Sequence, residues 1–139
     1  MKKLYALVIM AGIFLSVALF FTVMPFIFLG HPLPFFSIYN KDIYDHETVI
    51  EILDSDNESV FKKAYELTPQ ELISEPKPSW LLLRLSFPPG DKEEYTVKVI
   101  SDSNMTKSLR VELQLWNNAH IELYGDDAES PITIGIDTI

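Results

Sequence analysis

The chain has 139 residues, no cysteine and a formal net charge of −9. Without thiols it cannot support thiol catalysis, iron–sulfur clusters, cysteine-ligated zinc, cysteine lipidation or disulfide scaffolding. All 20 acidic residues and 9 of the 11 basic ones follow residue 31, which leaves that part near −11 and disfavours nucleic acid and anionic headgroups as partners.

The first element is the apolar run 4–29, inside a gap from Lys3 to Lys41 that holds no charged side chain. As a helix its 26 residues would extend about 39 Å, more than the ~30 Å hydrocarbon core of a bilayer. Sixteen of them are Leu, Ile, Val or Phe, with a summed preference for lipid of roughly 5–10 kcal/mol. Gly12 and Ser16 make a small-xxx-small spacing; a single helix touching only lipid is the simpler expectation. Lys2 and Lys3 precede the run, while Asp42, Asp45 and Glu47 follow it. Positive charge stays inside, so the amino terminus is expected in the cytoplasm and residues 31–139 outside it, at the cell membrane. A cut near Gly30 would put Phe28 at the −3 position, so an uncleaved signal anchor is expected. The boundaries are then a transmembrane anchor over 1–30, an interfacial linker over 31–45 and a β-sandwich over 46–139. Pro32 and Pro34 keep the linker from being helical, and Phe35, Phe36 and Tyr39 suit the interfacial aromatic belt.

From residue 46 the apolar period is two, the mark of half-buried strands. The pattern predicts strands over 48–53, 60–67, 80–87, 95–100 and 109–116, with a sixth around Ile121 and Leu123 and a seventh through Ile132, Ile134 and Ile136. Lys63 falls on the apolar face of the second, which predicts an edge position. Residues 68–79 hold three prolines and read as a connection. At Asn117-Asn118, a three-residue loop pairs Leu115 with Ile121 and Leu113 with Leu123, and sets Trp116 beside His120 on the outer face.

Seven strands without helical period predict an all-β fold: an antiparallel, seven-stranded immunoglobulin-like β-sandwich preceded by one transmembrane helix. Residues 85–99 (LSFPPGDKEEYTVKV) resemble the turn-and-strand passage of fibronectin type III and immunoglobulin-like domains. That resemblance implies a tyrosine corner at Tyr95, its hydroxyl bonded back to the backbone. The whole chain resembles short archaeal membrane-anchored proteins that carry an immunoglobulin-like or prealbumin-like domain of unknown function. The likeness lies in the pattern of 46–139 and implies a fold, with no active site to carry over.

Chemistry-bearing motifs are few. The five glycines form no phosphate loop, and His31, His46 and His120 have no ligand spacing. A metal pair of His46 and His120 requires the fold to unite them. Asp54-x-Asp56-Asn57-Glu58 opens like a calcium loop but has Ser59 where glycine is needed and Tyr65 at the twelfth position, so it reads as a solvated turn. No G-x-S-x-G context exists, and no enzyme, cofactor or small-molecule substrate is expected. Asn57 and Asn104 head Asn-x-Ser/Thr sequons, so both are candidate glycosylation sites in an outer domain.

The expected function is a non-enzymatic interaction or structural module of the cell envelope, held in the lipid bilayer by residues 4–29 and meeting an envelope protein partner. Candidate contacts are the loops 54–59, 91–94 and 126–129 and the surface at Trp116 and His120. Two alternatives remain at this point. One is a pilin-like filament subunit, for which no Gly or Ala processing site and no early glutamate is present. The other is a secreted calcium- or carbohydrate-binding domain released near Gly30.

Overall fold

Helix α1 covers Lys2–Leu29 in one piece. Its large apolar side chains face outward all round, Phe14 at 77% and Leu15 at 62% exposure among them. The part Lys3–Met24 is long and apolar enough to cross a membrane by length and composition, a test that a signal sequence also passes. Ser16 and Thr22 return their hydroxyls to the carbonyls of Gly12 and Leu19, each at 2.9 Å, so neither needs a partner helix to be satisfied.

The computed structural model describes residues 2–86, 93–102, 105–124 and 130–138. It divides into two compact units, Met1–Pro32 and Leu33–Ile139. The second unit is mostly β, with two four-stranded sheets. One sheet orders β4 (Leu72–Glu75), β1 (Phe36–Asn40), β7 (Asn117–Leu123) and β8 (Ile132–Thr138). The other orders β3 (Ser59–Leu67), β2 (His46–Leu53), β5 (Glu93–Ser101) and β6 (Thr106–Leu113), and helix α2 (Ser79–Ser86) connects β4 to β5.

The alternation read from the sequence builds the core. Ile50 and Ile52 of β2 and Val97 and Val99 of β5 point inward, opposite Phe36 and Ile38 of β1 and Ile121 and Leu123 of β7, and all eight are buried. Each such side chain contributes about 1.5–3 kcal/mol of burial. Phe36 also meets Phe61 and Tyr65 edge-on, which ties the two sheets together near β3. β3 is an edge strand, as Lys63 predicted, and the Lys63 ammonium reaches Glu75 of β4 at 2.9 Å.

Five expectations are corrected. Among the described residues the sandwich has eight strands rather than seven, and β1 and β7 run parallel, which departs from a wholly antiparallel seven-stranded immunoglobulin order. The 80–87 strand is instead α2 over Ser79–Ser86. An apolar run of this length has no decisive period. Leu favours helix, the Pro78 carbonyl accepts the N–H groups of Leu81 and Leu82, and only Leu81 and Leu85, one turn apart, are buried.

The 31–45 stretch is more than a linker: Phe35 and Phe36 are core residues at 1% and 0% exposure, and β1 is a central strand. Finally, β6 and β7 form no hairpin, because they belong to different sheets. The Asn117 side chain accepts from Gln114 N and donates to Glu112 O, both at 2.8 Å, and turns the chain from one sheet to the other. Tyr95 likewise forms no tyrosine corner, since its buried hydroxyl donates to the Glu93 carboxylate two residues away.

Strand direction gives the sandwich two ends. Leu33 enters at one, which also carries α2 and the turns after β2 and β6. The turns after β1 and β3 and the last residues of β5 and β7 gather at the other, the far end.

Candidate functional site at the far end of the sandwich

The turn 41–45 after β1 is supported from beneath by Asn40, which has 0% exposure. Its Nδ2 donates to the carbonyls of Tyr44 (2.8 Å), Leu67 (3.2 Å) and Thr68 (3.1 Å), while its Oδ1 accepts from Asp42 N at 3.0 Å. One short amide thus stitches the turn after β1 to the turn after β3. Gln70 adds a second stitch, donating to Lys41 O at 2.8 Å and accepting the Tyr39 hydroxyl at 2.7 Å.

His46 opens β2 and closes the platform. Its Nε2 faces Asp42 Oδ2 and its Nδ1 faces Asp102 Oδ2, each at 2.8 Å. A donor at both nitrogens is the imidazolium form. Desolvation, the largest single influence, pulls the His46 pKa down, but hydrogen bonds and charge from Asp42 and Asp102 outweigh it and the net shift is upward. The hydrogen bond from His46 is also the main cause holding Asp42 below its ordinary value. The Tyr124 ring stacks on the imidazole at 4.0 Å and 17°, and its hydroxyl donates to Asp102 Oδ1 at 3.2 Å.

Among the described residues, three non-glycine positions have left-handed backbone, and two of them, Gln70 (φ 61°) and Tyr124 (φ 54°), are here. Such conformations cost about 1–3 kcal/mol and persist where the surroundings impose them. The platform carries Ile43 and Tyr44, at 73% and 66% exposure, with Asp42 and Asp45 beside them. Two large apolar side chains on an immobilised turn, rimmed by carboxylates, form a surface suited to docking.

The residues singled out from sequence sit elsewhere. His120 faces outward from β7, where its Nδ1 lies 3.0 Å from Ser37 Oγ and its Nε2 3.2 Å from Glu122 Oε1. Trp116 packs against the core at the entry end. His46 and His120 therefore have separate partners, and among the described residues no group of three or more His, Asp or Glu is placed to hold a metal ion.

Asp54 Oδ1 accepts the N–H groups of Asp56 and Glu58, both at 2.9 Å, so the calcium-like sequence closes its own turn. Asn57 is exposed at φ 62° in that turn, whereas Asn104, much of the loop 91–94 and the loop 126–129 lie outside the described residues. The far-end platform was missed from sequence. Asn40 and Asp42 gave a turn signal, but nothing local shows that Asn40 is buried or that Asp102 and Tyr124 arrive beside His46.

The fold and site together define an eight-stranded β-sandwich following an apolar helix, with a pinned loop platform at one end. No protein-family model matches the chain, and no curated protein matches it.

Proposed function

We propose that the chain is a single-pass anchored, extracytoplasmic β-sandwich that acts as a non-enzymatic interaction module of the cell envelope, with its far-end platform as the contact surface. The observation that carries this reading is the pairing of exposure with rigidity. Ile43 and Tyr44 stand in solvent on a turn whose backbone is held by Asn40 and bridged through Asp42 to His46. A preorganised turn loses little entropy on binding, and tyrosine is a common hot-spot residue. The acidic rim suits an envelope protein that offers an apolar hollow edged by Lys or Arg. Helix α1, apolar on every side, supports the anchor, and Lys2 and Lys3 before it support an inside amino terminus.

Photo-crosslinking in the native membrane tests the contact. A photoreactive residue at Tyr44 is expected to capture a discrete protein adduct, while one at Glu66 on β3 captures none. Equal capture at both positions, or none at Tyr44, overturns the assignment of the platform.

A further inference from the structure

Helix α2 leaves a second apolar surface uncovered. Leu81 and Leu85 hold the helix to the core, whereas Trp80 and Leu83 are 42% and 67% exposed and the Arg84 side chain is 62% exposed. Positions i, i+3 and i+4 share one helix face, so these three residues form a single Trp-Leu-Arg surface.

The sequence around it is poor in acid. Residues 76–90 contain no Asp or Glu, the longest acid-free interval after residue 42, and they carry Lys77 and Arg84. Lys77 is buried, however, and Arg84 pairs with Glu93 of β5, so the exposed face itself is close to neutral.

Its place in the fold is fixed by Lys77, two residues before α2 and only 5% exposed. The ammonium donates to the carbonyls of Leu33 (2.7 Å) and Pro34 (3.1 Å), and also to Asn117 O (2.7 Å). The start of α2 is thereby stapled to the point where the chain enters the sandwich. Three residues lie between Leu29, the last residue of α1, and Leu33, so the two are at most about 14 Å apart along the chain.

We infer that the Trp80–Leu83–Arg84 face of α2 rests in the headgroup layer of the membrane that α1 enters. The inference rests on the anchor reading above. Tryptophan partitions to the bilayer interface, leucine adds buried apolar area, and arginine lays its stem on lipid while its head pairs with the Glu93 carboxylate. The acidic turn of Asp54 and Asp56 lies at the same end, lining a concavity of about 330 Å³ together with Arg84, Glu93 and Glu94. That charge restricts the contact to the α2 side and favours zwitterionic headgroups.

The chain has two tryptophans, so the test is spectroscopic. Full-length protein is reconstituted into phosphatidylcholine vesicles with brominated or ordinary acyl chains, and the emission of Trp80 is taken as wild type minus Trp80→Phe. The expected result is a fall of about twofold with brominated lipid and protection from aqueous iodide. Leu83→Asp, with unchanged circular dichroism, is expected to restore iodide quenching.

Trp80 emission that ignores bromine and is quenched by iodide overturns the inference while leaving the anchor intact. Protection from iodide without bromine quenching identifies a protein occupant and overturns it equally. Failure of the wild-type chain to float with the vesicles overturns the anchor reading and this inference together.

Discussion

His46 Nε2 lies 2.8 Å from Asp42 Oδ2, and this contact joins the turn after β1 to the first residue of β2. With Asp102 on the other ring nitrogen, the imidazole is a charged bolt through the far-end platform. Its pH dependence follows from the directions of shift. The His46 pKa is raised above 6.5 in the fold, so its stabilisation is complete below 6.5 and is lost as pH rises through the folded value. The Asp42 pKa is lowered below 3.8, so its part is present above 3.8 and is lost as pH falls through the depressed value. The bolt is strongest between these limits. Melting of the full chain in micelles is expected to separate wild type from His46→Gln at about pH 5.5 and much less at about pH 8.5. An equal separation at both would contradict the charged bolt.

Asn40 makes four hydrogen bonds from a fully buried position. Asn40→Ala leaves three carbonyls and one N–H to find water or remain unpaired, for a loss of about 2–4 kcal/mol. Hydrogen exchange is expected to speed first in the turn 41–45 and only later in β2 and β5. Uniform acceleration across both sheets would show that Asn40 supports the fold at large rather than the platform.

Lys77 is held by four backbone carbonyls (Leu33, Pro34, Leu115 and Asn117), and burial pulls its pKa down to about 8. At neutral pH it is still an ammonium. Lys77→Met keeps the apolar stem and removes every donor, so chemical denaturation should report a loss of about 2–4 kcal/mol. A loss below about 1 kcal/mol would mean that water replaces the ammonium without difficulty.

The domain boundary is a matter of β1. A fragment beginning at Leu33 retains a central strand, with Phe36 and Ile38 in the core, whereas one beginning at His46 lacks it and leaves β4 and β7 unbridged. The first fragment should unfold cooperatively and the second should not. Within the full chain, Phe36→Ala should cost about 3–5 kcal/mol. Cooperative unfolding of the shorter fragment would restore 31–45 as a linker.

Strands whose pattern was strict were legible from sequence. Ile50 with Ile52 and Val97 with Val99 alternate cleanly, and Lys63 marked its strand as an edge. The strand through Phe36 was hidden because prolines precede it and its parallel partner, β7, is some 80 residues away; no local pattern encodes such a pairing. Helix α2 was hidden for a different reason. Leu81, Leu82, Leu83 and Leu85 satisfy a buried strand as well as a helix, and the choice fell to packing. The platform draws Asn40, His46, Asp102 and Tyr124 from four segments, each ordinary on its own, and only the sandwich topology brings them together.

The absence of cysteine makes the central claim directly measurable, because any thiol introduced is the only one present. Single substitutions Lys3→Cys and Ile43→Cys, treated on intact cells with a membrane-impermeant maleimide, report which side of the membrane each position occupies. An anchored module with its platform outside predicts labelling at position 43 and none at position 3 until the cells are opened. Labelling at position 3 with protection at position 43, or release of the labelled chain as a soluble product, would contradict it.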